Sequence, residues 1–371
     1  MKDEIAGQHA GPVKRAHRFP VLDALRGVAA LAVVTLHGRP YFRWVLFPHV
    51  NLAVDFFFML SGFVLTLAYQ RRLDDGWRMR EFMTARVIRL YPMYALALAI
   101  AAGSEFLRVV SGGKGMPLED LAVLLLLGVV MLPVPPVGVG ALLMAFPLNF
   151  PSWSLFSELM ANVLHAGFLR RRGIGFLLGT VFVAGLLLLG IGIHLGTVNV
   201  GTGSRETLYA IVRVMMAYTM GMLLFRLWKS GWVRIPIPAV MVAILLMVVM
   251  AVPPVRYGIA YDMGATLLAF PVLLLAGAQA KLTERMTGVA TALGQASYAV
   301  YVLHVPMAGV LRTIWSKVLR RDMEHDAPWS GLVYLVVVFG LALWLDRVYD
   351  TPVRAWLQRR FVKKQSARAG A

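Results

Sequence analysis

Apolar runs of about twenty residues recur along almost the whole chain, separated by short polar stretches rich in Arg and Lys. A hydrocarbon core about 30 Å thick is crossed by roughly 20 residues of helix, so these runs read as transmembrane helices. The pattern predicts spans at 21–40, 51–69, 87–107, 152–169, 174–195, 207–225, 237–252, 261–280, 289–312 and 330–349. The stretch 121–147 is also apolar, but Pro133, Pro135 and Pro136 break it. Each half is about a dozen residues, too short to cross alone. The expected fold class is therefore all-α integral membrane: a bundle of about ten transmembrane helices with a Pro-broken segment that is re-entrant or interfacial.

Charge gives the orientation. Cytoplasmic loops collect Lys and Arg. Lys14, Arg15 and Arg18 place the N-terminus inside, and Arg71, Arg72, Arg78 and Arg80 place the second loop inside. The run Arg170, Arg171 and Arg172 is inside only if 121–147 makes no net crossing. Arg226, Lys229 and Arg234 follow, then Lys281 and Arg285, then a tail with Arg354, Arg359, Arg360, Lys363 and Lys364. Both termini are expected in the cytoplasm, with 1–20 a basic leader and 353–371 a basic tail. One loop breaks the rule: 313–329 carries Lys317, Arg320 and Arg321 on the outside. Eleven spans with one terminus outside is the alternative.

Composition agrees. The chain is 59% hydrophobic and 15% charged over 371 residues, against about 25% charged in soluble domains. The net charge of +18 is explained by the basic loops, so nucleic acid is not expected as a partner. There is no cysteine, which removes disulfides, thiolate metal sites and a Cys nucleophile. No metal site and no permanently bound cofactor are expected. No internal repeat of the kind found in many transporters is visible.

Ionisable residues at membrane depth are costly and therefore mark function. Arg26 and His37 lie on the first span, eleven positions or about 16 Å apart on nearly one face. His37, Asp55, Glu158, His304 and Arg213, from five helices, are expected to converge on one layer in the outer half. The plainer reading gives each an ordinary partner: a His bonded to its neighbour, or Asp55 and Glu158 in interhelical pairs with Arg213 or Arg39. His9, His49, His165, His194 and His325 fall nearer loops or helix ends, and Asp23 suits a helix N-terminus. Arg86 and Arg89, spaced i, i+3, share a face and extend the basic inner mouth. Positive-inside bias alone explains such a mouth; guanidinium forks also suit phosphate.

Five segments carry a family resemblance. LDALRGVAALAVVTLH (Leu22 to His37) contains an Arg, ten residues, then His. NLAVDFFFMLSGFVL (Asn51 to Leu65), ARVIRLYPMY (Ala85 to Tyr94), PSWSLFSELM (Pro151 to Met160) and SYAVYVLHVPM (Ser297 to Met307) follow in order. Together they resemble the membrane acyltransferase-3 family, in its stand-alone form, over a domain at 21–352. The family often ends its last span with Glu-x-Pro; here Asp350-Thr351-Pro352 stands there, and a packing role is expected for it. The resemblance implies transfer of an acyl group, usually acetyl, from cytoplasmic acyl-coenzyme A to a hydroxyl of a surface polysaccharide, lipopolysaccharide or other glycan at a bacterial inner membrane. It implies that His37 is essential, with Arg26 in support.

The residues then take expected roles. Arg86, Arg89 and Arg26 would hold the phosphates of acetyl-CoA by charge-assisted hydrogen bonds. His37 would act as general base, with Asp55 or Glu158 fixing its tautomer, or would form an acyl-imidazole. Trp153, Ser154, Tyr298, His304 and Arg213 are candidates to bind acceptor or oxyanion, with Ser297 beside them; helix packing is their plainer role. Ser61 beside Gly62 is expected to permit close helix approach. The competing function is a multi-helix transporter or a lipid or glycan flippase without covalent chemistry, whose charged residues would sit at the same depth.

Overall fold

A computed structural model of the chain describes residues 19–113, 115–136 and 143–362. Lys14, Arg15, Arg18 and His9 of the expected leader, and Lys363 and Lys364 of the tail, lie outside the described residues. Every one of the segments expected to span is occupied by helix, and the described residues form no sheet beyond one isolated bridge, Met144 to Gly203. The elements are α1 (Pro20–His37), α2 (Arg39–Phe42), α3 (Leu52–Asp74), α4 (Met79–Val110), α5 (Leu118–Val129), α6 (Ser152–Gly167), α7 (Ile174–Leu195), α8 (Thr207–Ser230), α9 (Ala239–Ala251), α10 (Gly258–Gly264), α11 (Phe270–Gln279), α12 (Glu284–Lys317), α13 (Trp329–Leu345) and α14 (Thr351–Leu357). A π-helical stretch joins α10 to α11, and another joins α13 to α14.

Among the described residues, 7 helices are long and apolar enough to cross a membrane. At 16 and 13 residues, α6 and α9 are shorter than that criterion. α12 has 34 residues but is not among the seven, because Ser297, Tyr298, Tyr301 and His304 dilute its apolar content. The helix α4 outruns its apolar segment. α4 starts at Met79, where the Glu81 carboxylate accepts from the Arg78 backbone N–H at 2.8 Å, and its first turns carry Arg80, Arg86 and Arg89. Hydropathy alone starts this span at 87 and reads the turns before it as loop.

Contacts between helix ends fix the direction of each passage. Asp74 at the end of α3 pairs with Arg170 just after α6 at 2.9 Å, so the two basic runs share one end of the bundle, here the basic end. At the other end the His49 N–H donates to Met250 O of α9, and His49 meets Asp262 of α10 at 2.7 Å. The Pro-broken segment behaves as expected of a re-entrant element. α5 starts where Met116 N–H donates to Glu105 Oε1, beside the far end of α4. It runs antiparallel to α4 until the hydroxyls of Tyr94 and Tyr91 donate to Gly128 O and Val129 O, at 2.7 and 2.8 Å. The chain then returns to the same far end, where Ala145 N–H donates to Thr202 O in the loop between α7 and α8. Residues 137–142 of the expected segment lie outside the described residues.

Two parallel pairs form the centre: α1 against α12, and α3 against α8. The second pair is held by contact and by charge. A Cβ on Gly62 would lie 2.0 Å from Tyr218 O, and one on Gly221 would lie 1.9 Å from Met59 O. Only glycine permits this approach, the small-residue packing used inside bilayers. Toward the far end of the same interface Asp55 takes Arg213 Nε and Nη2 at 2.8 and 2.7 Å. Arg213 also donates to Asn199 Oδ1, Val200 O and Asn51 O. These five contacts use all five guanidinium N–H donors.

Two outcomes are expected of this centre. Gly62→Ala and Gly221→Ala each lose about 1–3 kcal/mol of stability, the usual penalty for overpacking. Gly190→Ala, which would meet nothing within 4 Å, is neutral; thermal unfolding in lipid nanodiscs reads the difference. Arg213→Ala strands a buried carboxylate and costs about 3–5 kcal/mol. Arg213→Ala combined with Asp55→Ala costs less than the sum of the single variants in the same assay.

Candidate active site

A central cavity of about 140 Å³ is enclosed by α1, α3, α4, α6 and α12. Its α3 wall extends from Val54 to Leu65, eleven residues or about 16 Å along the axis. Phe57, Phe58, Leu60, Val64, Leu90 and Leu155 make most of the lining apolar. The polar residues belong to two groups.

The first group holds three arginines. Arg26 Nε donates to Ser297 Oγ at 2.8 Å and Nη2 to Gly294 O at 3.1 Å, with Asp23 at 3.2 Å. Arg86 Nη2 donates to Glu158 Oε1 at 2.7 Å, and that oxygen also accepts from Ser61 Oγ at 2.6 Å. Arg89 lies 5.4 Å above the Tyr298 ring and 3.8 Å from Asp350, which is itself held by Arg354 at 3.0 Å. The Tyr298 hydroxyl donates to Leu90 O and so fixes the ring beneath Arg89. Arg86 Nε is buried and has no hydrogen-bond partner among the described residues, and Arg89 Nη1 is buried with Asp350 Oδ2 facing it at 3.8 Å, beyond hydrogen-bond reach. Buried donors are rarely left bare, and guanidinium groups with spare N–H capacity beside one cavity suit an anionic ligand.

The second group lies at the far end. Tyr301 lines the cavity, and its hydroxyl meets Ser154 Oγ at 2.7 Å. One turn further along α12, His304 Nε2 meets His37 Nδ1 at 2.7 Å, the rings stacked at 4.9 Å. His304 Nδ1 is 3.2 Å from Val300 O. A carbonyl only accepts, so His304 Nδ1 carries the proton and its Nε2 is an acceptor. His37 Nδ1 must then donate, which leaves His37 Nε2 with a free lone pair. The His37 ring also packs edge-on against Phe150 at 4.6 Å. The pair therefore presents a neutral imidazole with its basic nitrogen unpaired, the state a general base requires.

The expected single layer of five groups resolves into separate clusters. His37 and His304 meet directly. Asp55 and Arg213 form their own pair on α3 and α8. Glu158 sits with Ser61, six residues or about 9 Å along α3 from Asp55 and toward the basic end. Neither carboxylate is a hydrogen-bond partner of His37; the side chain that meets its ring is His304. Glu158 is committed to Arg86, because a carboxylate this deep needs a cation. Arg39 is exposed and pairs with neither. Arg213 has no donor left for an acceptor molecule. Trp153 is buried under Arg213 and against Phe58, so it packs rather than lines the cavity. Ser154, Tyr298 and Ser297 line the cavity with Arg26, Arg86 and Arg89.

Some participants were missed. Asp350 was expected to pack; it is 1% exposed and neutralises Arg89 and Arg354. An acid just before Pro352, where the related motif has Glu, was the available signal. Ser61 was read as a spacer. Gly62 makes the close approach, and Ser61 bonds Glu158. Tyr301, spaced i, i+3 before His304, stands between cavity and histidines and was readable from that spacing.

Comparison with known proteins follows this geometry. A 162-residue stretch covering 40% of this chain is 41% identical to Protein 2 in picA locus of Rhizobium radiobacter, over 81% of that protein. Another of 155 residues, 39% of this chain, is 33% identical to Acyltransferase MdmB of Streptomyces mycarofaciens, over 37% of that protein. No solved structure matches. The acyltransferase domain of the acyltransferase-3 type matches residues 19–347. The chain is thus a multi-pass membrane protein of the acyltransferase-3 family.

Proposed function

We propose that this acyltransferase moves an acyl group, acetyl by default, from acyl-coenzyme A at the basic end of the bundle to a hydroxyl of a glycan or glycolipid on the other face. The observation that carries this reading is the cavity itself. It has arginines with unfilled donors at one end and ends one helical turn short of a paired imidazole. The basic end is cytoplasmic by the positive-inside bias, with ten crossings, both termini inside and the bacterial inner membrane as location.

The phosphates of the donor bind the Arg86 and Arg89 guanidinium groups, with Arg26 behind them. The thin pantetheine arm lies along the apolar wall of α3 and carries the thioester past Tyr301. His37 Nε2 takes the proton of the acceptor hydroxyl as its oxygen attacks the thioester carbonyl. The C–S bond breaks, and the departing thiolate recovers that proton from the imidazolium. Proton transfer by a placed imidazole contributes about 10²–10⁴-fold. In the covalent variant His37 Nε2 attacks the thioester first and the hydroxyl then takes the acyl group from nitrogen. A transporter or flippase needs no imidazole with one nitrogen held and the other free.

Purified protein in nanodiscs is expected to hydrolyse acetyl-CoA slowly. His37→Ala lowers this by about 100-fold or more, with unfolding temperature unchanged. Equal turnover in that variant removes His37 from the chemistry. The orientation has its own test, because the chain has no cysteine. With a membrane-impermeant maleimide on whole cells whose outer membrane is permeabilised, Val318→Cys labels. Arg171→Cys labels only after the inner membrane is broken; the opposite pattern reverses the donor's side.

A further inference from the structure

The loop that breaks the orientation rule has no part in the mechanism above. It forms one wall of an open cavity of about 460 Å³ at the far end, lined by Arg43, Trp315, Arg321, His325, Asp326 and Trp329 with Ala327 and Pro328. We propose that this cavity is the subsite for the acidic part of the acceptor, a carboxylate or phosphate borne on or beside a hydroxylated ring. The proposal rests on the transfer reading and locates its acceptor.

The wall is built rather than loose. Asp326 Oδ2 accepts from Trp315 Nε1 at 2.8 Å, and Oδ1 from Arg321 Nη2 at 2.5 Å. The bond from Trp315, with that from Arg321, keeps the Asp326 carboxyl below the usual carboxylate range. This brace orients an indole and leaves further N–H donors of Arg321 for a ligand. Facing it, Arg43 is exposed and has no ion-pair partner among the described residues. Its φ of 64° is a left-handed conformation that a non-glycine residue rarely takes. Strain of this kind tends to mark functional positions. Trp329, 72% exposed, offers an aromatic face to the apolar side of a sugar ring. Arginine matches carboxylate and phosphate oxygens with paired N–H groups.

Position links this cavity to the histidines. α2 follows His37 directly, and Arg43 follows α2. The Tyr334 hydroxyl donates to His304 O at 2.8 Å, and Ser330 Oγ donates to Met323 O at 2.6 Å. The histidine pair and the cavity wall therefore hang on the same first turns of α13. Trp329 and Tyr334 are five residues, or about 7.5 Å, apart along it. Arg43 is six residues beyond His37, so the chain lets them lie at most about 20 Å apart, a span a short saccharide covers. Basic residues on the disfavoured side of the membrane then have a use.

Saturation-transfer NMR of the full chain in phosphatidylcholine nanodiscs tests this, with a hyaluronan tetrasaccharide as acidic probe and maltotetraose as neutral control. The acidic probe gains signal, inorganic phosphate competes it away, Arg43→Ala weakens it about tenfold, as expected for a lost charged bond, and Trp329→Ala weakens it through the lost aromatic face. Arg43→Glu abolishes it. Equal signal from both sugars, or signal unchanged in the variants, overturns the proposal. A second arm adds phosphatidylglycerol. If Arg43→Ala alters only the stability gained from that lipid and not the sugar signal, the cations serve lipid headgroups and the proposal falls. Acetyl-CoA hydrolysis on the same preparations reports separately: sugar binding without hydrolysis fails the transfer reading and leaves the subsite standing.

Discussion

An ionised side chain in the interior of a membrane protein must find a counter-charge or a hydrogen-bonding partner, and this requirement organises the bundle. Arg213 has every donor filled by Asp55 and by three oxygens from the α7–α8 loop and Asn51. Glu158 is held by Arg86 and Ser61, and Asp350 by Arg89 and Arg354. Each pairing ties two or more helices at a fixed level. The pairs that are complete act as structure. Where donor capacity is left over, at Arg86 Nε and in the long contact of Arg89 with Asp350, the side chains line the cavity.

The same accounting separates the two ends of the site. Charge concentrates where a phosphorylated head would arrive. Among the described residues the histidine pair has no hydrogen bond to a carboxylate, and a backbone carbonyl sets the tautomer. A carboxylate beside His37 would strengthen the base, but it would also place another buried charge between four helices. The Val300 carbonyl achieves the orientation through His304 with no added charge. Tyr301 and Ser154 stand between the apolar cavity and the imidazoles, so a ligand in the cavity must displace or pass their single hydrogen bond to reach them.

Much of the fold was legible because bilayer thickness dictates helix length. The ten apolar runs gave helices, the prolines of 121–147 gave the re-entrant turn, and Arg170–Arg172 gave the direction of α6. Depth was less legible. Glu158 was placed with Asp55 by counting from the start of its span, but α6 is only 16 residues long and parallel to α3, so Glu158 falls at Ser61. Pairing was half legible: Asp55 with Arg213 was among the options weighed, whereas His37 with His304 needs the parallel packing of α1 on α12, which no periodicity reveals. Asp350 was undervalued because a residue at the end of an apolar run reads as interfacial until the helix is seen to continue as α14.

The central claim is that one passage connects the arginine donors to His37. The direct measurement is a cryo-electron microscopy structure with a thioether analogue of acetyl-CoA. The account predicts analogue phosphates on Arg86 and Arg89, the arm along α3 from Leu65 toward Val54, and the sulfur beside Tyr301 facing His37 Nε2. Density that leaves the sulfur at the basic end, or that reaches the far end by a route outside these helices, contradicts it.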